Sequence, residues 1–391
     1  MELSEKYLGL IKEYKKQSAQ TDDEDEPFES DGGEWVRGYE MLSFGEYESA
    51  VSAYDSDISR NGITFNNTAG IINALLLCNQ PERALNYAGK LFAADDRPES
   101  RLLLAYSLYR CGFTDDIPEL CSEMINSENG DTVSFQQEIG AYYLLYLCEN
   151  DTVRKNEYWN MCEFLYEENS SEYVYPELDP VYSSFVVEYS NKSMEPAEAI
   201  PFLYEYIVFN KLSFGAIFDY LTDNSEKYGL VGYKALAYLF RAECAVSHEE
   251  ICEKNGRIAK AIVDSAAPGT IEPVLLNKIY YKLSRYLLSY EAREEYKQKC
   301  DIFCLADSES ENRTPEDAAD LWGKACKYSE DSDVKIRCLR RYFSIVKENG
   351  ILPYEYAGKI CDCAELYMDK GDKQAAIEIM SDGMRVIAEY Y

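Results

Sequence analysis

The sequence predicts an all-α chain, an α-solenoid of antiparallel helical hairpins, and three observations carry the prediction. Turn-forming residues recur at Gly45, Asn79 and Gly112, spaced by 34 and 33 residues, and self-similarity at such a period marks stacked supersecondary units. Between these turns apolar residues fall at three- and four-residue spacing, which places them on one face of a helix. No run alternates apolar and polar residues around an Asn-Gly type of turn, so nothing reads as a β-hairpin.

Taken in order, residues 1–19 read as a short amphipathic helix with Leu3, Tyr7, Leu10, Ile11 and Tyr14 on one face. Residues 20–34 hold Asp22, Asp23, Glu24, Asp25, Glu26, Glu29, Asp31 and Glu34 and no basic residue, so mutual repulsion predicts an acidic linker. The first helix pair covers Glu34 to Phe44 and Glu46 to Arg60. The second covers Asn66 to Asn79 and Glu82 to Ala94, and the third Pro98 to Cys111 and Thr114 to Ile125. With a fourth pair, Phe135 to Glu149 and Val153 to Glu168, they make an N-terminal lobe over 35–169. Tyr173, Tyr175, Pro176 and Pro180 interrupt the pattern, so 170–180 is expected to be a kink or an inserted loop dividing the array into two lobes.

The C-terminal lobe, 181–391, is expected to hold helices at Val181–Tyr189, Pro196–Phe209, Gly229–Val246, His248–Ser265, Glu272–Ser289, Glu291–Ala306, Pro315–Tyr328, Ser332–Glu348 and Pro353–Lys370, ending in a further hairpin. Helix starts are well marked. Thr314-Pro315-Glu316-Asp317 supplies a cap, a first-turn proline and acids that suit the N-terminal dipole, and Glu195-Pro196-Ala197-Glu198 follows the same logic.

Particular residues of the hairpins resemble the tetratricopeptide repeat (TPR), whose pattern puts small residues at its eighth and twentieth positions and large apolar ones beside them. The first unit matches through Gly38, Gly45, Tyr47, Ala50, Val51 and Tyr54, and the last through Ala364, Tyr367, Gly371, Asp372, Ala376 and Ile377. The second keeps Pro81, Ala84 and Leu85 but has Ile72 at a small-residue position; the third has Ala105, Leu108 and Gly112, with Ile117 replacing an alanine. Close helix crossing needs small side chains at the contact, so Ala50 is expected to face Gly38. A bulky residue at Ala50 or Ala376 is then expected to overpack at a cost of roughly 1–3 kcal/mol. The resemblance implies a non-catalytic fold whose first helices line a concave groove. Carried onto this chain, it puts Trp35, Tyr39, Asn73, Tyr106, Tyr109 and Arg110 on that face as candidate partner contacts. In the family's best-known ligand mode Lys, Asn and Arg clamp a terminal carboxylate. Here those positions hold Trp35, Tyr39, Gly70, Glu99 and Leu103, which argues against that mode.

Charge narrows the partner. Asp and Glu number 71 against 39 Lys and Arg, a formal net charge of −32, and that field repels nucleic-acid backbones and anionic membranes. A basic protein or peptide is the natural complement, although acidity also serves solubility. Many of the 13 cysteines, such as Cys78 and Cys148, sit in apolar helical runs as small hydrophobes. Their scatter, the absence of a basic-then-apolar start and of any long apolar run predict a cytoplasmic chain without a membrane span.

Signs of chemistry are sparse. His248 is the single histidine and opens a helix, which suits capping, and no motif surrounds any cysteine. Cys361 and Cys363 are two apart on a helix and point to different sides, whereas Cys300 and Cys304 are one turn apart with no second pair to complete a zinc site. No glycine-rich phosphate cradle occurs. No catalytic residue, metal or cofactor is therefore expected. Tyr is unusually frequent at 35 residues, which serves groove filling and offers contact surface. The expected function is a protein-interaction scaffold or adaptor using an acidic, tyrosine-rich concave surface. The alternative is an acidic regulator that mimics nucleic acid to block a basic site, with Asp22 to Glu26 as its densest carboxylate run.

Overall fold

A computed structural model describes residues 34–126, 133–169, 179–210, 215–310, 313–329 and 331–390. The expected helix at 1–19, residues 20–33 of the linker, the run Asp22 to Glu26 and residues 170–178 lie outside the described residues. Among the described residues there are twenty helices and no strand.

Four hairpins come first: α1 (Glu34–Ser43) with α2 (Tyr47–Asn61), α3 (Phe65–Leu77) with α4 (Pro81–Ala94), α5 (Pro98–Arg110) with α6 (Ile117–Ile125), and α7 (Phe135–Cys148) with α8 (Thr152–Asn169). Helices α9 (Asp179–Ser193), α10 (Pro196–Asn210), α11 (Ala216–Asn224), α12 (Val231–Cys244) and α13 (Glu249–Ser265) follow. The chain ends with α14 (Pro273–Tyr286), α15 (Tyr290–Lys299), α16 (Ile302–Ser310), α17 (Pro315–Tyr328), α18 (Ser332–Asn349), α19 (Tyr356–Asp369) and α20 (Lys373–Tyr390).

One device turns the chain at every hairpin where the repeat is legible. Gly45, Asn79, Gly112 and Gly371 all take positive φ, at 78°, 55°, 80° and 79°. Each is followed by an amide that donates back five residues: Glu46 N to Met41 O, Gln80 N to Leu75 O, Phe113 N to Leu108 O, and Asp372 N to Tyr367 O. This is the left-handed C-terminal cap that satisfies the carbonyls a helix end leaves open. Gly229 and Gly350, which the spacing did not mark, end the segments before α12 and α19 through the same bonds.

The close crossing in the first hairpin also takes a large side chain. Ala50 is fully buried, but the side chain that lies over Gly38 is Tyr54, whose Cε1 would stand 2.7 Å from a Cβ placed there. The same ring meets Gly70 of α3 even more closely. Tyr54, 1% exposed, is thus a wedge between two glycines on successive first helices. A large side chain thus shares the crossing with the small ones, and the ring seals one hairpin to the next.

Two further differences concern helix limits. The expected helix Glu291–Ala306 is two helices, because Asp301 turns its carboxylate onto the amides of Phe303 and Cys304 and caps α16. Cys300 and Cys304 therefore do not share a helical face: Cys300 Sγ approaches Asn277 O and Cys304 Sγ approaches Asp301. Helix α11, outside the expected helices, carries buried Ile217, Phe218 and Leu221 after Gly215. By contrast, Thr314 caps α17 through Asp317 N at 3.2 Å, and Cys361 and Cys363 are exposed and buried respectively.

Packing divides the chain into units 1–258 and 259–391, whereas the sequence pattern breaks at 170–180. Helix α9, just beyond that break, belongs to the first unit because it packs on α7 and buries one apolar face, Val181, Tyr182, Phe185 and Val186. The first unit also returns to its own beginning. Arg241 on α12 donates to Tyr47 Oη at 2.6 Å and lies 3.2 Å over the Phe218 ring. His248 stands 3.4 Å from Glu40 and against Phe44, and Lys254 pairs with Glu46. These contacts span about 200 residues and hold the α1–α2 turn to α12 and α13.

The second unit is centred on Trp322, fully buried with Leu339, Cys338 and Val346. Its last hairpin closes where Gly383 of α20 receives the Ile360 side chain of α19. No described helix is long and apolar enough to cross a membrane.

Candidate partner-binding face

The first helices of the four leading hairpins stand side by side, α1 on α3, α3 on α5, and α5 on α7. This row carries all six residues assigned to it from the sequence. At its start, Tyr39 is 40% exposed and Trp35 is half-buried on α1. Further along, Asn73 on α3 and Tyr106 on α5 are buried, at 2% and 5% exposure, while Tyr109 and Arg110 at the end of α5 are half-buried.

Helix α9 accounts for the difference. It packs against α3 and α7, and Ser184 shares a hydrogen bond of 3.2 Å with Tyr106 Oη. Gly140 of α7 makes the approach possible, since a Cβ there would meet Leu102 Cδ2 at 2.8 Å and Val181 Cγ1 at 3.3 Å. The middle of the row is therefore covered by the chain itself, and Asn73 and Tyr106 lie within the packing.

At the edge of α9 a polar cluster forms around Glu188. Tyr143 Oη and Tyr146 Oη donate to its two oxygens at 2.9 and 2.7 Å, and Lys192 Nζ stands 3.1 Å from it. Lys192 also donates to Tyr146 Oη and lies 3.5 Å over the Trp159 ring, a cation–π position. Burial works against the charge on Glu188, but the two hydroxyls and the ammonium outweigh it and hold the carboxyl below its usual range. Burial pushes the Tyr143 and Tyr109 phenols up. Tyr106 stacks with Tyr109 at 6.4 Å and Tyr143 with Tyr146 at 6.1 Å, and Arg110 lies 5.8 Å over the Tyr106 ring.

The structure thus groups Tyr106, Tyr109 and Arg110 with Tyr143, Tyr146, Glu188 and Lys192, and leaves Trp35 and Tyr39 at the other end of the row. The cluster beyond α5 went unassigned in the sequence reading. Its one signal there was Glu188, the single charged residue in the run Val181 to Tyr189. Nothing in the cluster has the form of a nucleophile with its base, and among the described residues no group of His, Cys, Asp or Glu is placed to hold a metal ion. The only histidine is engaged with Glu40 and Phe44 at the return of the first unit.

No family model matches this chain, and no curated protein matches it. Among solved structures it is similar to a human IFIT1 dimer with m7Gppp-AAAA, at 12% identity over 91% of this chain and 72% of that one, with a TM-score of 0.30. It is also similar to the APC/C hetero-tetramer Cut9-Hcn1, at 11% identity over 90% of this chain and 86% of that one, with a TM-score of 0.29. The chain's own packing defines an all-α architecture of helices packed in consecutive hairpins.

Proposed function

We infer that the chain is a non-catalytic scaffold of TPR type that docks a partner protein or peptide along the first-helix row of its N-terminal unit. The observation that carries this reading is the stacked tyrosine cluster at the edge of α9, where Tyr109 and Arg110 stay half-exposed above the buried Tyr106. Rigid aromatic rings with polar tips, supported from below, are the surfaces on which interface energy concentrates. Tyr39 and Trp35 extend the same row, while Asn73 and Tyr106 support it from beneath. The net charge of −32 favours a basic partner and raises its association rate more than its final affinity.

Capture of partners on the tagged chain tests this, with Tyr109→Ala and Tyr39→Ala compared at low and high ionic strength. A partner held by the native chain should be lost from Tyr109→Ala at an unchanged melting temperature, and should weaken in high salt. Retention by both variants removes this face from consideration, and indifference to salt removes the electrostatic part.

A further inference from the structure

The second unit holds a cavity of about 540 Å³ between α17, the end of α18 and the start of α19, within the size range of small-ligand sites. Its walls are the loop Ile351, Leu352, Pro353 and Tyr354, and Tyr354 is wholly exposed at the mouth. Two buried donors line it. Lys359 is 2% exposed, and its ammonium donates to Gly323 O at 3.1 Å and stands 3.6 Å from Glu355, whose side chain is 65% exposed. An ammonium carries three donors, so one hydrogen bond and one long, solvent-facing ion pair leave a buried charge under-satisfied. Tyr342 is also 2% exposed, and its hydroxyl has no hydrogen-bond partner. Gly323 brings the two together: a Cβ there would touch Lys359 Cε at 3.4 Å and Tyr342 Cδ2 at 3.8 Å.

Charge is segregated within the site. Asp320 is 61% exposed and tied to Lys324, and Glu316, Glu355 and Lys327 also lie at the open side. The buried donors are the Lys359 ammonium and the Tyr342 hydroxyl, and the acid nearest the ammonium, Glu355, is turned mostly to solvent. The geometry points to a binding site for a carboxylate with a short apolar body, its oxygens taking the free Lys359 and Tyr342 donors and its carbons lying against Ile351, Leu352 and Pro353. This site lies wholly in the second unit and does not depend on the docking face proposed for the first.

Calorimetric titration of the full chain tests it with 4-methylpentanoate against 4-methylpentanamide, and with acetyl-Gly-Gly-Leu as free acid against its amide. Each acid should bind at least ten times more tightly than its amide, and the stronger of the two acids identifies a free small molecule or a peptide terminus as the source. Tyr342→Phe removes only an unpartnered hydroxyl, so the unliganded chain should melt no lower while acid binding falls several-fold. Lys359→Met should abolish the acid-over-amide preference. Equal binding of acid and amide, no binding of either acid at millimolar concentration, or unchanged acid binding by Tyr342→Phe would overturn the assignment; Tyr342→Phe keeps the test open should Lys359→Met fail to fold.

Discussion

Gly70→Ala is the sharpest test of how the first two hairpins are joined. An alanine in a helix interior is intrinsically better than glycine by about 1 kcal/mol, so propensity alone predicts stabilisation. Packing predicts the reverse. The Tyr54 ring already fills the space a Cβ at Gly70 would need, and it has little room to move, because it also packs on Gly38, where a Cβ would stand 2.7 Å from Cε1. Overpacking of this kind costs roughly 1–3 kcal/mol, and a ring packed closely on two helices belongs toward the upper part of that range. The net expectation is destabilisation by about 1–2 kcal/mol, read as a lower midpoint in urea with an unchanged slope. Repeating the substitution in a Tyr54→Leu background removes the wedge, and Gly70→Ala should then be neutral or stabilising. If Gly70→Ala stabilises the native chain, the helix-propensity gain has won and Tyr54 does not occupy the seam between α1 and α3.

Gly45→Ala and Gly112→Ala share a positive φ, which costs L-residues roughly 1–2 kcal/mol, but only at Gly45 would the new methyl press on the Arg241 guanidinium. Urea melts should find Gly45→Ala the more damaging, and Arg241→Ala should erase the difference; equal effects in the native background would deny the return of α12 to the first turn. Glu188 has a folded-state pKa below its unfolded one, so its contribution is complete above the ordinary glutamate range near 4.3 and is lost as pH falls through the lower folded value. Melting temperature followed from pH 6 downward should therefore drop less steeply in Glu188→Gln than in the native chain, and parallel curves would contradict the hydrogen-bonded cluster. Burial pushes the thiols of Cys121, Cys300 and Cys338 up to about 12, while Cys361 and Cys304 are exposed. Brief iodoacetamide treatment read by peptide mass mapping should modify Cys361 well before those three. Early labelling of Cys121 would show that the α6 side of the third hairpin opens readily.

The contrast between legible and illegible features follows the range of the forces involved. Turn positions were legible because a left-handed residue after an apolar helical face is a local requirement, met by Gly45, Asn79, Gly112 and Gly371 each within its own six residues. The cap at Thr314 was legible for the same reason. The break at Asp301 was not, since an aspartate inside an apolar-periodic run reads as a surface position until its side chain is seen to take two backbone amides. The first-helix row was legible through the repeat, but its covering was not: α9 reaches α3, α5 and α7 from tens of residues downstream, 78 of them between Tyr106 and Ser184, and nothing local to Asn73 or Tyr106 records that.

The sequence by itself determined a helical chain, its hairpin period, the residues that turn it and a formal net charge of −32. Only the tertiary structure decided that Tyr54 serves as the wedge, that α9 covers the middle of the row, that Arg241 closes the first unit onto Tyr47, and that Lys359 and Tyr342 share one cavity. Helix propensity, capping and amphipathic spacing act within a few residues and leave a periodic trace in the chain. Which side chain fills a groove made by distant helices depends on shape and on unsatisfied polar groups across tens to hundreds of residues, and no period records it.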